Sequence, residues 1–313
     1  MGGEIQVQSE YGKGSVFAVS LRQRIIDDKP MGDFAGKYRS FMNEKKGTSI
    51  NLHIPEAEIL VVDDIEMNMR VACGMLKKTG GKIDKAYSGK ECLDLIYKKH
   101  YDIIFLDHMM PELDGVETIA IMKAKKDHLN TDTPVIVLTA NAVVGAREEY
   151  LKHGFADYLS KPIHLEDLIE LLYRYLPKER IETSEPKNKD NTGSHRNMDE
   201  GLKNQFPMLD IEKGLTFCMN DEEFYVEMIE TYLEGDKREV INQMYESEDW
   251  KNYENYVHAL KSTSLNIGAV VLSEQAKALE FAAKDGNYEY IKEHNEEVMA
   301  EYSRLLEQIS ERL

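Results

Sequence analysis

Glu58-Ile59-Leu60-Val61-Val62-Asp63-Asp64 is a continuous apolar run, mostly β-branched, that ends in two adjacent carboxylates. Four apolar residues with no polar alternation suit a strand buried on both faces. The same texture returns at Ile83 to Tyr87, Ile103-Ile104-Phe105-Leu106, Val135-Ile136-Val137-Leu138 and Tyr158-Leu159. Amphipathic stretches lie between these runs, among them Met67 to Lys78, Lys90 to Lys98, Ala146 to His153 and Leu165 to Tyr175. Strand and helix in strict alternation predict an α/β fold, a doubly wound five-stranded parallel sheet, over residues 57–178.

Outward from this segment the texture changes. Residues 26–56 hold Asp27-Asp28-Lys29-Pro30, Gly32, Gly36 and Asn43-Glu44-Lys45-Lys46-Gly47, and read as a linker closed by Pro55. Before it, within residues 1–25, Glu4 to Gln8 and Val16 to Leu21 read as a hairpin around a Gly-rich turn. Residues 179–206 read as a second linker, with no apolar residue from Ser184 to Ser194. Residues 207–313 lack β-like runs and keep helical periodicity, broken at Gly235, Asn266-Ile267-Gly268 and Asp285-Gly286-Asn287, which predicts an all-α antiparallel bundle of four or five helices.

The formal charge of −18 repels phosphate backbones and anionic lipid, so nucleic acid and membrane are not expected partners. The acidity concentrates in residues 207–313, with ten basic against 24 acidic residues. No apolar run approaches the ~20 residues of a membrane helix, and no secretory signal opens the sequence. Cys73, Cys92 and Cys218 form no close pair, which excludes a disulfide framework and suits reduced thiols in the cytoplasm.

In a parallel α/β sheet the ligand crevice lies outside the carboxyl ends of the strands. Asp63 and Asp64 follow the first strand, Asp107 closes the third, Thr139 the fourth, and Lys161 follows the fifth, just before Pro162. Three converging carboxylates call for a hard divalent cation, and Mg²⁺ keeps open positions for a phosphoryl-bearing ligand. Lys161 and Thr139 would complete a cage around phosphoryl oxygens.

VVDDIEMN, FLDHMMPELDG, VIVLTANA and DYLSKP resemble the response-regulator receiver domain. The resemblance implies phosphorylation of Asp107, Mg²⁺ held by Asp63, Asp64, Asp107 and the backbone carbonyl of Met109, and phosphoryl contacts from Thr139 and Lys161. It also implies a cis peptide between Lys161 and Pro162, and a switch aromatic at Tyr158.

In the helical part, a wheel of about 100° per residue puts Tyr253, Tyr256, Val257, Leu260 and Ile267 on one buried side. His258 then faces outward, with Lys261, Ser262 and Leu265 on its own face, as a docking surface would. His258-x-Leu260-Lys261 followed by Ile267-Gly268-Ala269 resembles the histidine-containing phosphotransfer (HPt) domain. That family implies a phosphoryl-accepting His258 beside the offsetting charge of Lys261, with Ser262 standing where the family usually has Gly.

Finally, Met1-Gly2-Gly3-Glu4-Ile5 through Gly12-x-Gly14-Ser15-x-Phe17 resembles the tail of a histidine-kinase ATPase domain, without its ATP-binding residues. Autophosphorylation with ATP is therefore not expected of this chain. The combined reading is a phosphorelay module from the C-terminal part of a hybrid histidine kinase. Its expected partners are an upstream kinase domain and a downstream response regulator. The rival is an Asp-nucleophile phosphohydrolase, but Asp107-His108-Met109 lacks the acid that such enzymes carry two residues after the nucleophile.

Overall fold

The computed structural model describes residues 4–10, 14–20, 52–139, 146–183 and 201–313, and these divide between two compact units, 1–49 and 50–313. In the first unit, β1 (Glu4–Glu10) pairs antiparallel with β2 (Gly14–Ser20) in the register Val7↔Phe17. Most of the first expected linker and of the second, residues 21–51 and 184–200, lies outside the described residues.

The second unit opens with a departure from expectation. β3 (Leu52–His53) pairs with β9 (Glu182–Thr183), so the inner ends of both expected linkers form a short ribbon. Leu52 and Ile54 alternate with polar residues and are both buried, which is the half-buried strand pattern in its shortest form. Residues 201–205 are helical, with Leu202 and Phe206 buried, so order also begins before residue 207.

The parallel sheet has the order β5-β4-β6-β7-β8, with β4 (Glu58–Val62), β5 (Lys82–Ala86), β6 (Ile103–Asp107), β7 (Val135–Thr139) and β8 (Asp157–Ser160). The helices are α1 (Glu66–Lys77), α2 (Gly89–Lys98), α3 (Gly115–Ala124), α4 (Ala146–Lys152) and α5 (Leu165–Tyr175). Alternate strand residues enter two cores. Ile59, Val61, Phe105 and Leu138 pack with α1 and α5, while Leu60, Val62, Leu106 and Val137 pack with α2 and α3. Strand order reverses between β4 and β6, which puts the ligand crevice at their carboxyl ends.

The helical part holds six helices among residues 207–313, where four or five were expected. They are α6 (Ile211–Phe217), α7 (Glu222–Glu234), α8 (Arg238–Glu246), α9 (Trp250–Asn266), α10 (Val270–Lys284) and α11 (Tyr288–Ser310). The breaks at Gly235, 266–268 and 285–287 occur as expected. Two more follow α6 and α8, where Met219, Asn220 and Glu248 take positive φ, a conformation that only Asn among these types favours. Gly268 (φ 79°) closes α9 and has no room for a side chain. A Cβ there would lie 2.2 Å from the Asp210 carbonyl oxygen.

α1 joins the two parts. Its residues are buried nearly all round, from Met67, Asn68 and Met69 to Met75 and Leu76, because the sheet covers one side and the bundle the other. The core on that side of the sheet runs without interruption into the bundle core of Tyr225, Met228, Ile229 and Val257. Gly74 lies close against the bundle: a Cβ there would meet the Phe224 ring at 3.0 and 3.2 Å. Glycine inside a helix costs about 1 kcal/mol relative to alanine, and here the space it leaves is filled by an aromatic ring.

Candidate functional site

β4 and β6 deliver Asp63 and Asp107 to the crevice, both almost fully buried, with Asp64 half-buried beside them. Carboxylate oxygens of the three lie within 4.8 Å of one another. Lys161 Nζ, brought by the segment after β8, donates to Asp63 Oδ2 and Asp107 Oδ1, each at 2.7 Å. Asp63 Oδ1 accepts from the backbone N–H of Ile65 at 3.0 Å and from Asn68 Nδ2 at 3.3 Å. By contrast, Asp64 Oδ1 and Asp107 Oδ2 are buried without a hydrogen-bond partner. Two orphaned carboxyl oxygens beside a third carboxyl group are a donor set that fits a hard cation.

The electrostatics agree. Burial, and after it the charge of Asp63, pushes the Asp64 carboxyl up to about 6. Burial also raises the Asp107 carboxyl, against the opposing charge of Lys161. For Lys161 burial works against the charge, but Asp107 and Asp63 outweigh it and hold the ammonium protonated far above the working range. The Lys161–Pro162 peptide is cis, as the resemblance implied.

Thr139 Oγ1 lies 2.8 Å from the Tyr150 hydroxyl, which also lies 3.3 Å from His108 Nδ1. The resemblance implied a switch aromatic at Tyr158, which is not the tyrosine that meets Thr139 here. Tyr158 sits partly buried against the α2–α3 core and lines a groove with Arg147 and Asp157. Tyr150 carried no distinguishing signal, since one tyrosine on a short amphipathic helix reads as packing.

His258 is where the structure corrects the sequence most. Val257, Leu260 and Ile267 fill the bundle core as the wheel required, yet His258 is only 4% exposed and Ser262 8%. The outward face was read correctly, but it is covered, because the sheet's crevice lies against it. Asp107, Met109, Thr139, His258 and Glu280 line one cavity of about 140 Å³. Leu265 remains half-buried in the same seam, beside Val71 and Pro162.

His258 Nδ1 is 2.8 Å from Glu280 Oε1, and Lys261 Nζ donates to Glu280 Oε2 at 2.5 Å. Burial opposes the ionisation of Glu280, but its bonds and charge interactions with His258 and Lys261 prevail and hold the carboxyl at about 2. Burial lowers His258 below its ordinary value, which favours the neutral imidazole. Burial also lowers Lys261, although Glu280 pulls the other way. Glu280 was missed, although Ala276, Leu279 and Ala283 make an apolar stripe in which it is the anomalous acid. Lys277 and Lys284, also on the cavity wall, recur with Glu280 at helical spacing and were missed with it.

Comparison with known proteins defines the class. Residues 59–173 match the response regulator receiver domain and residues 224–312 the Hpt domain, so the chain carries a receiver followed by an Hpt domain, the architecture of a two-component phosphorelay module. Among particular proteins, it is 28% identical over 249 residues to the aerobic respiration control sensor protein ArcB of Escherichia coli K12, covering 78% of this chain and 30% of ArcB. Probable histidine kinase 4 of rice (subspecies japonica) is 34% identical over 137 residues, 38% of this chain and 14% of that protein. The receiver domain of sensor histidine kinase PA1611 from Pseudomonas aeruginosa PAO1, a structure with magnesium coordinated in its active site cleft, is 34% identical. It covers 38% of this chain and 96% of its own, with a TM-score of 0.35. The chain thus spans about 30% of the length of ArcB and about 14% of that of the rice histidine kinase. Among the described residues no helix is long and apolar enough to cross a membrane.

Proposed function

We propose that this chain relays a phosphoryl group between Asp107 and His258 within one molecule, as the cytoplasmic phosphorelay segment of a hybrid histidine kinase. The observation that carries the reading is the shared cavity: Asp107, Thr139, His258 and Glu280 line the same space. An upstream kinase histidine would load Asp107, and a downstream response regulator would unload His258.

The ionised Glu280 accepts a hydrogen bond from His258 Nδ1–H, a tautomer that leaves the lone pair on Nε2 as the nucleophile. Nε2 forms the new P–N bond while the P–O bond to Asp107 breaks, and that electron pair stays on the Asp107 carboxylate. The Nδ1 proton remains on the ring, and the ionised Glu280 offsets the positive charge that the imidazole gains. Thr139, which lines the cavity, and Lys161, which binds Asp107 Oδ1, would contact phosphoryl oxygens, and Lys261 lines the same cavity. Mg²⁺, held by Asp63, Asp64, Asp107 and the Met109 carbonyl, would supply neutralising charge at the phosphoryl oxygens when bound. Tyr158 keeps its proposed part as the aromatic that responds to movement of Thr139.

The test is labelling with acetyl phosphate and Mg²⁺. The parent chain should carry label on Asp107 and then on His258, and Asp107→Asn should carry none. Label reaching His258 in Asp107→Asn would refute the order of transfer.

A further inference from the structure

A hydrogen-bonded path crosses the seam between bundle and receiver and ends on the acidic site. Asn266 Nδ2, at the end of α9, donates to Asn68 Oδ1 at 3.2 Å. Asn68 Nδ2, on α1, donates to Asp63 Oδ1 at 3.3 Å. Asn266, Asn68 and Asp63 are 5%, 7% and 1% exposed. A buried amide is costly unless its hydrogen bonds are made, so apolar residues would suit these two positions better if packing alone mattered.

The chemistry of an amide gives the path a direction. Asn68 can present either its oxygen or its NH₂ to Asp63, and a half-turn of the side chain exchanges them. Only the NH₂ suits a carboxylate. The donor from Asn266 engages the Asn68 oxygen and thereby selects the orientation with NH₂ toward Asp63. Asp63 is then held by Asn68 and Ile65 on one oxygen and by Lys161 on the other.

We propose that Asn266 and Asn68 are positioning residues, an amide relay through which the docked bundle aligns Asp63 for its work in the receiver site. The receiver is then best organised when its phosphoryl acceptor is in place. This rests on the reading that Asp63 helps to hold Mg²⁺, and it adds that the bundle tunes that site from across the seam.

Mg²⁺ alone, titrated calorimetrically into the intact chain, tests the relay. Asn266→Ala should weaken Mg²⁺ binding roughly two- to fivefold, although Asn266 belongs to the other domain. Asn68→Ala should weaken it as much, and the double variant no more than Asn68→Ala alone, since the relay can be broken only once. In the metal-free chain the side-chain amide resonance of Asn68 should shift in Asn266→Ala. Asn266→Ser, which keeps a short hydroxyl donor and a milder change in packing, should fall between parent and Ala. Parent-like affinity in both Asn266 variants, or effects that multiply in the double variant, would overturn the relay. A parent chain that binds no Mg²⁺ would overturn the metal reading and the relay with it.

Discussion

Glu280→Gln isolates charge from shape at the phosphotransfer histidine. Glu280 is buried, and its two oxygens serve His258 Nδ1 at 2.8 Å and Lys261 Nζ at 2.5 Å. Holding its carboxyl at about 2 instead of the ordinary 4.5 corresponds to about 3 kcal/mol in favour of the ionised form, an upper bound on the loss. Glutamine can still accept a hydrogen bond from Nδ1–H through its oxygen, but its NH₂ would face the Lys261 ammonium, which is left buried without its anion. The expected loss of stability is therefore about 1–3 kcal/mol. Transfer from Asp107 to His258 should slow by roughly 10- to 100-fold, because an orienting partner is weakened and the transient imidazolium loses its counter-charge. Labelling of Asp107 should not change. The sign of the pH dependence follows from the depressed carboxyl. This stabilisation is fully present above about 4.5 and is lost as pH falls through about 2, and Glu280→Gln should remove that slope from the acid-melting curve. Quenched-flow labelling with acetyl phosphate measures both sites. Parent-rate transfer in Glu280→Gln would refute the role of this carboxylate.

Lys261→Met should cost more than an exposed lysine would, about 1–3 kcal/mol, because its side chain is only 14% exposed and pairs with a buried carboxylate; thermal melting reads this. Gly74→Leu should drive a side chain into the Phe224 ring and separate receiver from bundle, slowing transfer to His258 at least roughly tenfold while Asp107 still labels. Small-angle scattering should show the chain expanding, and an unchanged radius would refute α1 as the docking element. Leu265→Ala, which trims contact area in the seam and not the bundle core, should slow transfer without lowering the melting temperature by more than a few degrees.

The sheet was legible because each strand is a short apolar run whose last residues carry the chemistry. Asp63, Asp64, Asp107, Thr139 and Lys161 could be placed at one rim from strand ends alone. The helix wheel likewise separated His258 from Val257 and Leu260. What periodicity could not supply is which exposed face meets which. Predicting His258 as solvent-facing assumed that two domains joined by a linker stand apart. α1 carried the contrary signal: Met67, Met69, Val71, Ala72, Cys73, Met75 and Leu76 leave little polar face, and a helix apolar nearly all round is covered on both sides. Gly74, with no turn to make, was the second sign. Glu280 and Tyr150 became functional candidates only through tertiary placement, beside His258 in one case and Thr139 in the other. The ribbon of β3 and β9 is two residues per strand, too short for alternation to stand out from a polar linker.

The central claim is transfer within one molecule, and its most direct measurement is a time course of label on each site at several chain concentrations. After addition of labelled acetyl phosphate and Mg²⁺, base-labile acyl phosphate on Asp107 should appear first and base-stable phosphohistidine on His258 second. The rate constant of the second step should be independent of chain concentration. An Asp107→Asn chain mixed with phosphorylated His258→Gln chain should acquire label far more slowly than the parent does. A second step whose rate rises in proportion to chain concentration, or label that never becomes base-stable, would contradict the shared cavity as the place of transfer.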